Sequence, residues 1–123
     1  MYNSNNLIPT QAFVIKGQEF MEKALGNNTF IWSVDNNSYP CVASIVDYKR
    51  ELETGGFSTD QLLTLTVRQF DSQGNPVFVG ALPTAQQMIK FGGKSFRIQV
   101  VAQDYIGVGA RLVITAVCPN RGA

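Results

Sequence analysis

Glu51 and Glu53 stand one residue apart, and two carboxylates facing one cleft can share general acid and general base work. Their neighbours Lys49 and Arg50 make the run one of mixed sign, which reads as a solvated surface rather than a cleft. Asp71 and Asp104 lie beside the turn-forming sequences Ser72-Gln73-Gly74-Asn75-Pro76 and Tyr105-Ile106-Gly107 and read as turn formers. The chain contains no histidine, so it lacks the commonest general base and the usual partner of a serine or cysteine nucleophile. Serines at positions 4, 33, 38, 44, 58, 72 and 95 have no nucleophile-elbow context, and Gly107-Val108-Gly109 does not extend to a dinucleotide fingerprint. Cys41 and Cys118 are far apart in the sequence, and without histidine they make no zinc pattern. They read as reduced thiols serving as small core residues, and a disulfide between them needs their Cα atoms within about 7 Å. No residue is assigned a catalytic, cofactor-binding or metal-ligating role, and no cofactor is expected.

The 123 residues suffice for one core. Hydrophobic residues at 45% and charged residues at 15% are the proportions of a packed globular chain rather than a disordered one. A net charge of +1 gives no field of one sign to hold DNA, an anionic membrane or a polyanionic substrate. The longest apolar runs, such as Leu112 to Val117, fall far short of the ~20 residues of a membrane span. Met1-Tyr2-Asn3-Ser4-Asn5-Asn6 lacks the basic start and apolar middle of a signal peptide, so a cytosolic site of synthesis is expected.

Residues 1–9 are polar and Asn-rich and predict a flexible N-terminal arm, leaving 10–123 as a single domain. Phe13, Phe20, Met21, Ala24 and Leu25 recur at helical spacing, with Gly26 placed as a C-terminal stop. Thr10 or Ser4 is the candidate cap, and the poor helix formers Val14, Ile15 and Gly17 confine the stronger helical signal to Gln18–Leu25. From Thr29 the period becomes two. Phe30, Trp32 and Val34 share a face, Asp35-Asn36-Asn37-Ser38 is a turn, and Tyr39 to Val46 returns. Pro40 belongs at a strand start or on a sheet edge, having no N–H for a ladder. Leu63, Leu65 and Val67 alternate with polar residues, and Val77 to Leu82 is a further candidate strand. Gln87 to Phe91, the turn Gly92-Gly93, Ser95 to Val101 and Arg111 to Val117 then predict an antiparallel meander. The fold class that follows is mainly β, a small antiparallel β-barrel or sandwich of six or seven strands with a short N-terminal α-helix. Its expected core is Leu63, Leu65, Val67, Phe96, Ile98, Val100, Leu112 and Ile114.

Asp47 to Phe57 is charged and ends in Gly55-Gly56-Phe57, which predicts a long excursion from the sheet. Such loops are commonly functional. Leu52 and Phe57 would be unusual in a loop that stays in water, and the surrounding charges can pair with a neighbour. Lys49, Arg50, Glu51, Leu52, Glu53 and Phe57, with Arg121 in the tail Cys118–Ala123, are therefore the candidate subunit and partner interface.

The order of these features resembles the head-tail joining, or head-closure, proteins of tailed bacteriophages. The matching features are the short amphipathic helix, Phe30-Ile31-Trp32 leading to Tyr39-Pro40-Cys41-Val42-Ala43-Ser44, the charged run ending Gly55-Gly56-Phe57, Leu62 to Arg68, and Leu82-Pro83-Thr84 before Phe91-Gly92-Gly93-Lys94-Ser95-Phe96-Arg97-Ile98; the terminal Cys118-Pro119-Asn120-Arg121-Gly122-Ala123 is also similar to small phage structural proteins. The resemblance implies a virion connector, or neck, component without enzymatic activity, made in the host cytoplasm. Its partners would be the portal or adaptor ring above and tail proteins below. It would form a homo-oligomeric ring through which genomic DNA passes without sequence-specific binding, and it would touch no membrane. Two alternatives stand beside this one: a tail-completion or minor tail protein of the same kind of particle, and a small ligand- or peptide-binding barrel with a pocket lined by Trp32, Tyr39 and Phe96.

Overall fold

The structure, a computed structural model, describes residues 8–52, 56–103 and 110–120. One helix, α1 (Pro9–Ala24), precedes seven strands: β1 (Thr29–Trp32), β2 (Asn37–Pro40), β3 (Val42–Leu52), β4 (Gly56–Arg68), β5 (Met88–Phe91), β6 (Lys94–Gln103) and β7 (Arg111–Asn120). All neighbours are antiparallel, in the order β2-β1-β5-β6-β7-β4-β3. The outermost strands of that order, β2 and β3, are separated in the chain by Cys41 alone. Laid flat, seven strands would hold their outer pair about 29 Å apart, whereas Cα atoms two positions apart in a chain lie within about 7 Å. The sheet therefore curls into a half-barrel whose two edges are one bent strand. Pro40 sits beside the bend on edge strand β2, paired with Thr29, where its missing N–H deprives no ladder. The Cys41 N–H donates to the Asn28 carbonyl at 3.0 Å, carrying the pairing into the bend.

Alternation fills the interior. Leu63, Leu65, Val67, Phe96, Ile98, Leu112 and Ile114 are buried, joined by Phe30, Trp32, Tyr39, Cys41, Phe78, Ile89 and Ala116. Gly92 and Gly93 adopt φ of 58° and 80°, the two positive values of a type I′ turn, and set Phe91 opposite Lys94. Val100 departs from the expected core at 55% exposure. The register jumps from Ile98↔Ala116 to Val100↔Thr115, so Gln99 is an extra residue in a β-bulge and inverts the alternation beyond it. Val101 packs against the core instead. Val34 is also exposed, because β1 ends at Trp32 and Asn36 turns the chain at φ 59°. The candidate strand Val77–Leu82 is irregular and contributes Phe78 to the core.

Helix α1 runs unbroken through Val14, Ile15 and Gly17. Pro9 occupies its first turn, where a missing N–H costs nothing, and the Gln11 side chain accepts from the Ile8 N–H at 3.2 Å, a role expected of Thr10 or Ser4. Gly26, at φ 101°, ends it as expected: the Gly26 and Asn27 N–H groups return to the Lys23 and Glu22 carbonyls. Ile15 is fully buried with Ala110 in a small second cluster that Phe70 joins, and this contact offsets the poor propensity around it. Ala12 and Val14 pack against the same cluster, and the inward face further along the helix is polar. Gln18 Nε2 donates to the Thr66 carbonyl at 2.9 Å. The Arg68 guanidinium donates through Nε and Nη2 to the two Glu22 carboxylate oxygens at 3.0 and 3.1 Å, with Glu19 3.6 Å from Nη1. A cation at the end of β4 thus selects the acidic side of the helix, and Phe13 and Phe20, which the periodicity groups, face outward at 79% and 71% exposure.

Two measurements test this packing. By urea unfolding, Leu65→Ala and Ile98→Ala should each lose about 2–5 kcal/mol, while Val100→Ala stays within about 0.5 kcal/mol of the parent. Arg68→Ala should lose about 3–5 kcal/mol by leaving Glu22 buried without its cation, and amide exchange should then accelerate in α1 ahead of the barrel strands.

Candidate functional site

The run from Lys49 to Phe57 is not a loop off the sheet. Lys49, Arg50, Glu51 and Leu52 are in β3 and Phe57 is in β4, in the register Lys49↔Thr59, Arg50↔Ser58, Glu51↔Phe57 and Leu52↔Gly56. The expected excursion is the end of a long antiparallel hairpin with strands of 11 and 13 residues. Its charged sequence concealed it, because the alternation of apolar and polar residues by which strands are recognised is missing from Asp47 to Glu53. Glu53 and Arg121 lie outside the described residues, as do Met1–Leu7 of the expected arm and Asp104–Gly109. The tail begins later than predicted, since Cys118, Pro119 and Asn120 belong to β7 opposite Gln61, Asp60 and Thr59.

The hairpin has a definite relation to the barrel. Among the described residues β7 pairs with β4 as far as Thr59, while β3 and β4 continue their pairing to Leu52 and Gly56. Among the described residues, 50–52 and 56–58 therefore pair only with each other, as a two-stranded ribbon. β3 is also an end strand of the sheet order, so among the described residues one row of its backbone groups has no neighbouring strand, an arrangement suited to pairing with another chain. Along that edge Ile45 and Val46 are 45% and 55% exposed although they are consecutive. Ile45 lies opposite the fully buried Leu63, and the difference is the absence of a further strand to cover it.

The aromatic residues suggested as a pocket lining fill the core. Trp32 meets Phe78 edge-on at 5.7 Å and Tyr39 at 6.3 Å, and Tyr39 meets Phe78 at 4.5 Å; Phe96 is fully buried. Trp32 Nε1 donates to Gln87 Oε1 at 2.9 Å, and the Tyr39 hydroxyl donates to the Asp35 carboxylate. Burial pushes the Asp35 carboxyl up, but hydrogen bonds from Tyr39 and Asn37 outweigh it and hold the group below its usual value. Burial, with help from Asp35, raises the Tyr39 phenol. Asp71 is the turn former that its context predicts: its Oδ1 accepts from the N–H groups of Asn75 and Gln73, at 2.9 Å each, and these bonds hold its carboxyl below the usual pKa. Cys41 and Cys118 are free thiols. Burial, and then the charge of Glu22, push the Cys41 thiol up to about 12, the opposite of the shift that makes a reactive thiolate. Among the described residues no three Cys, Asp or Glu side chains come together as a metal cluster, and no helix is long and apolar enough to cross a membrane.

The projecting ribbon generates a prediction. Arg50→Glu and Leu52→Asp alter a segment outside the barrel, so each should leave the thermal unfolding midpoint of the isolated chain nearly unchanged, within about 0.5 kcal/mol. If the ribbon is an interface, the same substitutions should abolish assembly as read by particle mass.

The chain matches no protein-family model and no curated protein.

Proposed function

We propose that the protein is a structural virion component of a tailed bacteriophage, a head-tail joining or head-closure protein that forms a ring beneath the portal. The observation carrying this reading is the long β3–β4 hairpin at the edge of the sheet, whose outer strand has no second strand beside it among the described residues. Ring subunits need contacts directed at identical neighbours on both sides. A sheet edge and a projecting ribbon supply such heterologous contacts by strand addition and by reaching across the seam. Lys49, Arg50, Glu51 and Leu52 lie in β3 of that hairpin and Phe57 in β4. The sequence resemblance, which spans most of residues 10–123, supports the same reading. DNA passing through such a ring requires a lumen rather than a binding groove, in keeping with a net charge of +1.

Deleting the coding sequence from the genome that carries it tests the proposal. Electron microscopy should show heads and finished tails accumulating separately, with tailed particles restored by complementation in trans. Normal tailed particles in the deletion would overturn the assignment, and a defect confined to the tails would move the protein to tail completion.

A further inference from the structure

The outward face of α1 has no role in the fold. On a helix turning about 100° per residue, Phe13, Gly17, Phe20 and Ala24 fall within about 60° of arc, opposite the buried Ile15, Gln18 and Glu22. Phe13 and Phe20 are 79% and 71% exposed, and Met21 and Leu25 extend the apolar surface along one side at 45% and 50%. Gly17, between the two rings, has nothing within 4 Å of where a Cβ would stand, so the face is notched rather than smooth. Its charges are one-sided. Lys16 and Lys23 are exposed along the other rim, while Glu19 and Glu22 are both engaged inward with Arg68.

We infer that this face of α1 is a docking surface for a different protein, one presenting an apolar groove with an acidic rim. Anchors at i, i+7 and i+11 with an open position between them match the helix-in-groove mode, in which spaced side chains enter separate pockets. The lysine rim sets the charge of the partner. A second copy of the helix fits poorly. An antiparallel pair would set Lys16 beside its symmetry mate. A pair in either direction would use one strip of a helix about 24 Å long, a few hundred Å² against the roughly 800 Å² per partner of a stable interface. A groove that wraps the helix recovers more area than another convex helix can. A bilayer has no use for the Gly17 notch, and helices that lie on membranes carry basic residues more generously over their polar side. The inference rests on the helix alone and holds whichever particle or complex the protein serves.

Photo-crosslinking of the full chain in the cells that make it provides the test, with Phe20→p-benzoylphenylalanine as the probe and mass spectrometry of the linked peptide as the readout. The expected adduct is to another protein, at apolar residues flanked by Asp or Glu. Adding Phe13→Asp should lower its yield at least about tenfold, and Lys16→Glu with Lys23→Glu should lower it several-fold, both with unchanged circular dichroism because these positions are exposed. An adduct on this chain's own sequence, no adduct at all, or a yield indifferent to both sets of substitutions would overturn the inference. So would co-flotation of the purified protein with phosphatidylglycerol–phosphatidylcholine vesicles.

Discussion

The covalent continuity of the chain through Cys41 constrains everything else in this structure. Because the residues on either side of it open and close the strand order, the sheet has to bend through the distance between its own edges, and the interior side chains have to fill the resulting curvature. Large rings do so on the β1–β2 side, where Trp32 meets Tyr39 and Phe78 edge to face and Tyr39 packs at a tilt against Phe30 and Phe78. Smaller aliphatic residues suffice in β4 and β7, where Leu63, Leu65, Ile114 and Ala116 face inward. A buried thiol suits the junction because it is small, adapts to the bend, and leaves no strong hydrogen-bonding group without a partner. The bulge at Gln99 belongs to the same geometry, since an extra residue in one strand increases the local twist and helps a sheet to curl.

The helix is joined to this barrel by a different kind of force. Its inner surface offers a small apolar patch, the fully buried Ile15 with Ala12 and Val14 beside it, and then a set of charge-assisted and amide hydrogen bonds around Arg68 and Thr66. Both carboxylate oxygens of Glu22 are taken by the guanidinium in a two-point fork, which fixes the rotation of the helix as well as its position. Ion pairs of this kind specify orientation more than they add stability, because desolvation offsets much of the attraction. The rotation so chosen exposes the aromatic stripe.

Much of this was legible in the sequence, and what was not has physical causes. The meander around Gly92 and Gly93, the inward set in β4 and β7, and the stop at Gly26 follow from local rules of alternation and positive φ, and the structure agrees. Val100 escaped because a bulge leaves no mark on composition; Gln99 looks like any outward residue. The charged run of β3 was read as a loop because strand assignment relied on apolar alternation, which Asp47 to Glu53 lacks. Helical periodicity defined the stripe of Phe13 and Phe20, but periodicity cannot tell which stripe meets the sheet. That depended on Arg68, 46 positions from Glu22. The surface chosen for function at Lys49–Phe57 coincides with a projecting ribbon, while the exposed helix face escaped notice because apolar spacing normally marks the side that folds inward.

The strand order also dictates when the barrel can exist. β7, last of the described strands in the chain, sits in the middle of the sheet between β6 and β4. Until it is in place, no described strand pairing joins β1, β2, β5 and β6 on one side to β3 and β4 on the other, and the halves are held by the turn at Cys41 and the connection from β4 to β5. Local hairpins can form early, but joining the halves means closing a loop from Thr59 to Asn120, a costly step that native contacts reward only afterwards. A nascent chain emerging from a ribosome therefore carries both seams open until β7 has been made.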